Sequence, residues 1–237
     1  MNRTRGLATT VALVFSGSVA SMDSLPCQGP PVSVDQIARI FASGGDVAGW
    51  GEFDVPEFVA AAYGARARNA IVAILREAST PGNYHLQLEA LTTAQYERVG
   101  VPVAVLLDYA LGRRGQEVGG VLRQRAVAAL AMRPDTGLRD FWLEIERDPD
   151  ASIRQFAPAG LSCALGVAAS PHLERLTADS DSGVGAVARF YRQQASTMGP
   201  SMKACGGRLR RVEAMIFPVV IRASLMERGA VILKEIP

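Results

Sequence analysis

Two acidic pairs and two histidines are the side chains of this 237-residue chain whose types and spacing could do chemistry. Asp148 stands two residues before Asp150, and Asp179 two residues before Asp181. Carboxylates this close can act as an acid–base dyad or as calcium ligands. Neither pair continues into the D-x-D-x-D-G order of a calcium loop. Each stands instead just ahead of an apolar helical pattern. A short acidic side chain there accepts hydrogen bonds from the free N–H groups of the first turn and complements the helix dipole. Asp148, Asp150, Asp179 and Asp181 therefore read as structural caps. His85 and His172 are far apart, and His172 follows Pro171 in a first helical turn, which places it at a helix end or on the surface. No Ser or Cys sits in a recognisable nucleophile turn, so no catalytic triad is expected.

The three cysteines are Cys27, Cys163 and Cys205. With two distant histidines they make no zinc pattern, and no cofactor or metal is expected. Cys163 lies beside Leu161 in a helical pattern and reads as a buried, inert thiol. Cys27 and Cys205 lie in Pro/Gly-rich stretches near the two ends of the mature chain and are the pair chosen for a disulfide, although spacing alone does not fix connectivity.

A disulfide presupposes export, and the N-terminus is built for it. Arg3 and Arg5 precede an apolar run from Leu7 to Phe15, too short to span a bilayer. Ser18-Val19-Ala20 then offers small residues to a signal peptidase, predicting cleavage after Ala20. An uncleaved anchor or a misplaced start codon is the alternative. After cleavage no stretch reaches membrane-spanning length, since the apolar segment from Met215 to Met226 is broken by Pro218 and Arg222. The composition, 49% apolar with a net charge of +2, suits a folded protein and gives no nucleic-acid footprint.

The elements that must hold these residues follow a repeat. Leu122-Arg123-Gln124-Arg125-Ala126 recurs 31 residues later as Ile153-Arg154-Gln155-Phe156-Ala157, each followed by a Leu, Leu130 and Leu161. A weaker third copy starts at Val184, with Ala188 in the small-residue slot. Such a period marks an array in which each unit buries its apolar face against its neighbours. Helical patterning covers 34–42, with Ser33 as N-cap. It resumes over 54–63, with Pro56 in the first turn, and over 65–78, 84–98 and 102–113. It covers 121–132 and 138–147, a segment opening at Ile153, 172–178, and a segment from Val184. Pro158 is expected to kink the helix that opens at Ile153. After Ser196 the pattern changes. Val219-Val220-Ile221 and Ala230-Val231-Ile232-Leu233 flank Glu227-Arg228-Gly229, which reads as a short β-hairpin, with a capping helix as the alternative.

The stretch Asp148 to Leu161, DPDASIRQFAPAGL, resembles the inter-helix turn and second helix of a HEAT repeat, a family related to the armadillo and bilin-lyase-type repeats. The resemblance covers about residues 121–195, is weaker over 54–113 and ends by 200. Family repeats often carry an Asp before the second helix and an Arg at its second position. Asp148, Asp150 and Arg154 match in one copy. Asp179 and Asp181 match in the next, where Gly185 replaces the Arg. The earlier copy has Arg123, but Glu117-Val118-Gly119-Gly120 in place of the acidic turn. Any ladder of Asp–Arg contacts between repeats is therefore expected to be incomplete.

The resemblance implies an all-α, right-handed solenoid of four to five HEAT-like hairpins. The divisions would be a signal peptide over 1–20, an extended leader and capping helix over 21–53, the array over 54–196, and a linker with a C-terminal cap over 197–237. It further implies a non-enzymatic scaffold that binds a protein or peptide through its concave face. The alternatives are an enzyme or accessory of the bilin-lyase type and a structural cell-envelope protein. Some HEAT-like proteins are DNA glycosylases with a basic concave face. Arg123, Arg125, Arg139, Arg147 and Arg154 would supply one here, but Asp140, Glu144 and Glu146 are interspersed, and export and the small net charge oppose a nucleic-acid partner. The aromatics Trp50, Phe53, Phe58 and Tyr63 read as a capping core ahead of a ligand groove.

Overall fold

The computed structural model describes residues 29–44, 54–113, 120–133 and 136–195. The signal segment, Trp50, Phe53, Cys27, Cys205 and the C-terminal cap lie outside them. The helices are α1 (Val34–Gly44), α2 (Asp54–Tyr63), α3 (Arg68–Arg76), α4 (Tyr84–Thr93), α5 (Val103–Ala110) and α6 (Gly120–Ala131). They continue as α7 (Arg139–Ile145), α8 (Ala151–Arg154), α9 (Ala157–Leu165), α10 (Ser170–Thr177) and α11 (Ser182–Ala195). The described residues are all-helical, with no strand among them.

Local chemistry sets the boundaries. Ser33 caps α1, its Oγ accepting from the Gln36 N–H at 3.1 Å. The helix expected over 65–78 begins as a 3-10 turn at Gly64–Ala67, entered through Gly64 at φ +49°, a backbone conformation glycine adopts without a Cβ penalty. The turn after α3 is closed by Asn83, which accepts from the Thr80 N–H at 2.8 Å and donates to the Ala78 carbonyl at 2.7 Å. Gln87 is fully buried, yet its amide donates to the Glu77 carbonyl at 3.0 Å and accepts from the Ser79 hydroxyl at 2.7 Å, so its burial leaves neither amide atom orphaned.

Pro158 acts more strongly than a kink. The chain leaves helix at Gln155 and Phe156, and a new helix, α9, starts at Ala157 with Pro158 in its first turn. A proline there gives up an N–H that would be unsatisfied anyway, whereas in mid-helix it would remove a bond and clash with the preceding turn.

Three successive hairpins follow from the packing: α5 lies on α6, α7 on α9, and α10 on α11. The later helices of these hairpins also pack on one another, α6 on α9 and α9 on α11. The repeat positions form this seam. Leu122, Ile153 and Val184 are fully buried, as are Ala126, Ala157 and Ala188, whose small side chains let the helices approach closely. One continuous core runs from Val32 to Tyr191. At Gly160 the backbone of α9 lies on the Trp142 indole of α7, and an added Cβ would fall on that ring.

Gly160→Ala should therefore destabilise the fold by about 1–3 kcal/mol through overpacking, despite alanine's better helix propensity. Gly120→Ala at the start of α6, where an added Cβ meets nothing within 4 Å, should be neutral or mildly stabilising. Thermal melts of the two variants check this. Equal midpoints would contradict the packing described.

Candidate functional site

The acidic pairs turn out to divide their labour in the same way in both copies. The second member of each pair is the cap. Asp150 accepts from the Ser152 N–H at 2.8 Å, and Asp181 accepts from the N–H groups of Gly183 at 2.9 Å and Val184 at 3.0 Å. The first member shapes the turn and takes an arginine from the preceding repeat. Asp148 accepts from the Asp150 N–H at 2.9 Å and pairs with Arg123. Asp179 accepts from the Asp181 N–H at 2.8 Å and receives both arms of Arg154, Nε at 3.0 Å and Nη2 at 2.9 Å. Arg and Asp are 25 residues apart in both pairs.

Each arginine also reaches backward. Arg123 donates from Nε to the Ala110 carbonyl at 2.9 Å, and Arg154 from Nη1 to the carbonyls of Asp148 at 2.7 Å and Pro149 at 3.0 Å. Arg123 thus satisfies a carbonyl at the end of α5, and Arg154 two carbonyls of the turn after α7. In the third copy Gly185 leaves the arginine slot empty. Arg189, one turn further along α11, reaches back to the Thr177 carbonyl at 3.4 Å instead. The ladder expected to be incomplete is two rungs long among the described residues. The Arg154 and Asp179 side chains are only 14% and 10% exposed. Arg154 holds the Asp179 carboxyl below the ordinary aspartate range, chiefly through their hydrogen bonds, and Asp179 raises the Arg154 guanidinium in return.

A second polar cluster joins α7 to α10. Glu146, buried just past the end of α7, accepts from Arg175 through Nε at 3.1 Å and Nη2 at 2.9 Å, and its other carboxylate oxygen lies 2.6 Å from His172 Nδ1. Arg175 Nη2 is also 2.7 Å from that nitrogen. Nδ1 offers one in-plane position, so it either donates to Glu146 or accepts from Arg175, never both at once. With the proton on Nδ1, a carboxylate orients the ring and leaves Nε2 to act as a base. Among the described residues no Ser, Thr or Cys hydroxyl or thiol bonds to His172. His172 is half-buried in this ion cluster, where the sequence placed it simply at a helix end or on the surface. Glu146 and its partners are 26 and 29 residues apart, and no motif announces them.

The exposed face of α7 borders a groove of about 510 Å³ lined by Asp140, Leu143, Glu144, Arg147, Asp148 and Pro149. Phe58 and Tyr63 form no such groove: both are buried and meet edge to face at 6.3 Å in the core. The five arginines do not form a basic stripe, because Arg123 and Arg154 are consumed by the two rungs. Among the described residues no group of three or more His, Cys, Asp and Glu could hold a metal ion. Asp54–Arg76 is long and apolar enough to cross a membrane, but over half of it is buried inside the protein.

One expectation is corrected. Cys163, 4% exposed on α9, is disulfide-bonded, so it is not an inert thiol. The expected Cys27–Cys205 pair lies outside the described residues.

Because the folded state depresses the Asp179 pKa, the Arg154–Asp179 pair contributes stability above about pH 4, the ordinary aspartate value. That contribution is lost as pH falls through the folded value. Asp179→Asn should lower stability at pH 7 and flatten the loss of stability on acidification, as read by urea unfolding at stepped pH. A variant that keeps the wild-type acid slope would contradict this. No protein-family model, curated protein or solved structure matches the chain.

Proposed function

We propose that the chain is an exported, HEAT-like repeat scaffold, a right-handed solenoid of four to five hairpins, that binds a protein or peptide partner through its concave face. The observation that carries this reading is the recurrence of the Arg–Asp rung. Arg123–Asp148 and Arg154–Asp179 are the same contact displaced by one repeat. The stacking of α6, α9 and α11 supports it as well, since stacked hairpins leave an extended surface suited to partner binding. The disulfide at Cys163 and the pattern of residues 1–20 both support an oxidising compartment.

A second reading, an enzyme or accessory of the bilin-lyase type, is favoured only by the carboxylate-oriented His172. The two differ in what they require of that residue. On the scaffold reading, His172→Gln alters stability and leaves partner binding intact. A loss of turnover on any substrate that the captured complex processes would favour the enzyme.

Two measurements test the proposal. N-terminal sequencing of the protein from an exported fraction should begin at Ser21, whereas a cytosolic protein retaining Met1 to Ala20 contradicts export. Affinity capture from the native envelope fraction should recover a stoichiometric partner. Recovery of the chain alone would contradict the scaffold role.

A further inference from the structure

Resting on the scaffold reading, we propose that the groove along α7 is a docking site for a basic, apolar peptide segment of a partner protein. Asp140, Leu143 and Glu144 are spaced i, i+3 and i+4 along the outward face of α7, and Arg147 follows in the turn just past its end. The opposite face is fully engaged, with Phe141, Trp142 and Ile145 buried. The groove is open to solvent and measures about 510 Å³.

Its chemistry selects the occupant. Leu143, half-buried on α7, and the exposed Pro149 supply its apolar lining. Of the charges that line it, Asp148 is answered by Arg123. Asp140 and Glu144 have no partner within the described protein. They are like charges one helical turn apart, an arrangement that weakens a helix unless a cation lies between them. With Arg147 as the only lining cation, the groove is net negative on a chain whose net charge is +2. A segment presenting Arg or Lys to Asp140 and Glu144, and a Leu-sized side chain to Leu143, would answer both features. The exposed carboxylates contribute mainly orientation and encounter rate, and the apolar contact adds to holding.

The test uses the full mature chain and labelled peptide probes in fluorescence anisotropy. The probes are a nonapeptide repeating Arg-Leu-Ala, a Glu-Leu-Ala counterpart and an Arg-Ser-Ala counterpart. The Arg-Leu-Ala probe should bind in a salt-sensitive way, and both counterparts should bind more weakly. In an Asp140→Asn/Glu144→Gln variant its affinity should fall about tenfold. Asp35→Asn, an exposed change on α1, should leave it unaltered. All three residues are exposed groups outside the core, so the variants should fold, and thermal melts verify this. The proposal is overturned if the Arg-Leu-Ala probe fails to bind. It is equally overturned if the double variant binds that probe as wild type does, or if the Glu-Leu-Ala probe binds as tightly. Failure here with a partner still captured from the envelope removes the α7 site alone. Failure of both removes the scaffold reading.

Discussion

Arg154 reaches two ways at once, and the arrangement of residues 121–195 depends on it. One side of the guanidinium closes on carbonyls of the turn within its own hairpin, and the other grips the Asp179 carboxylate in the turn of the next hairpin. A planar fork matched to a carboxylate fixes direction as well as distance. The contact therefore sets the position of one hairpin relative to the next, which apolar burial alone does not. Asp179 then positions the Asp181 N–H, and Asp181 caps α11. A single chain of bonds thus runs from one repeat's second helix through the next turn into the following helix. The same chain runs from Arg123 through Asp148 and Asp150 to α8.

Charge placement and packing cooperate here. The rungs sit beside the seam formed by Ile153, Ala157 and Val184, where water is largely excluded and an ion pair is less screened than on an open surface. A mostly buried pair is weak evidence of net stabilisation, since two charges had to be desolvated to form it. Losing one partner is costly, however, because it leaves the other buried and unanswered. The rungs are best understood as specifying register. The Glu146–His172–Arg175 cluster adds a further tie between α7 and α10 and follows no repeat. Gly160 shows the same economy on the apolar side: the absent side chain gives the Trp142 ring its place.

The period, the helical hairpins and the caps were legible in the sequence because each is a local or regularly spaced signal. Leu122 and Ile153, Ala126 and Ala157, and the Asp pairs all announce themselves by position. The sequence also showed that Gly185 would end the arginine series. It did not show that Arg189 would reach back to the Thr177 carbonyl, because that substitution needs the helix phase of α11. Nor did it reveal which member of each Asp pair caps and which bridges, since both roles suit an aspartate before a helix. The Glu146 cluster was invisible because its members have no motif and meet only through tertiary packing. Cys163 was misread for a related reason: a cysteine next to a core leucine resembles a buried thiol whether or not a bridge reaches it. The α7 groove was equally hidden, because Asp140 and Glu144 look like ordinary solvated charges until the fold leaves a groove beside them.

Whether the Arg154–Asp179 rung couples neighbouring repeats is decided by a double-mutant cycle. Arg154→Ala, Asp179→Ala and the double variant would be unfolded in urea at neutral pH. The coupling energy should be about 0.5–3 kcal/mol, the range for residues in one hydrogen-bond or salt-bridge network. The double variant should be less destabilised than the sum of the singles. Additive effects, with coupling near zero, would contradict a coupling rung.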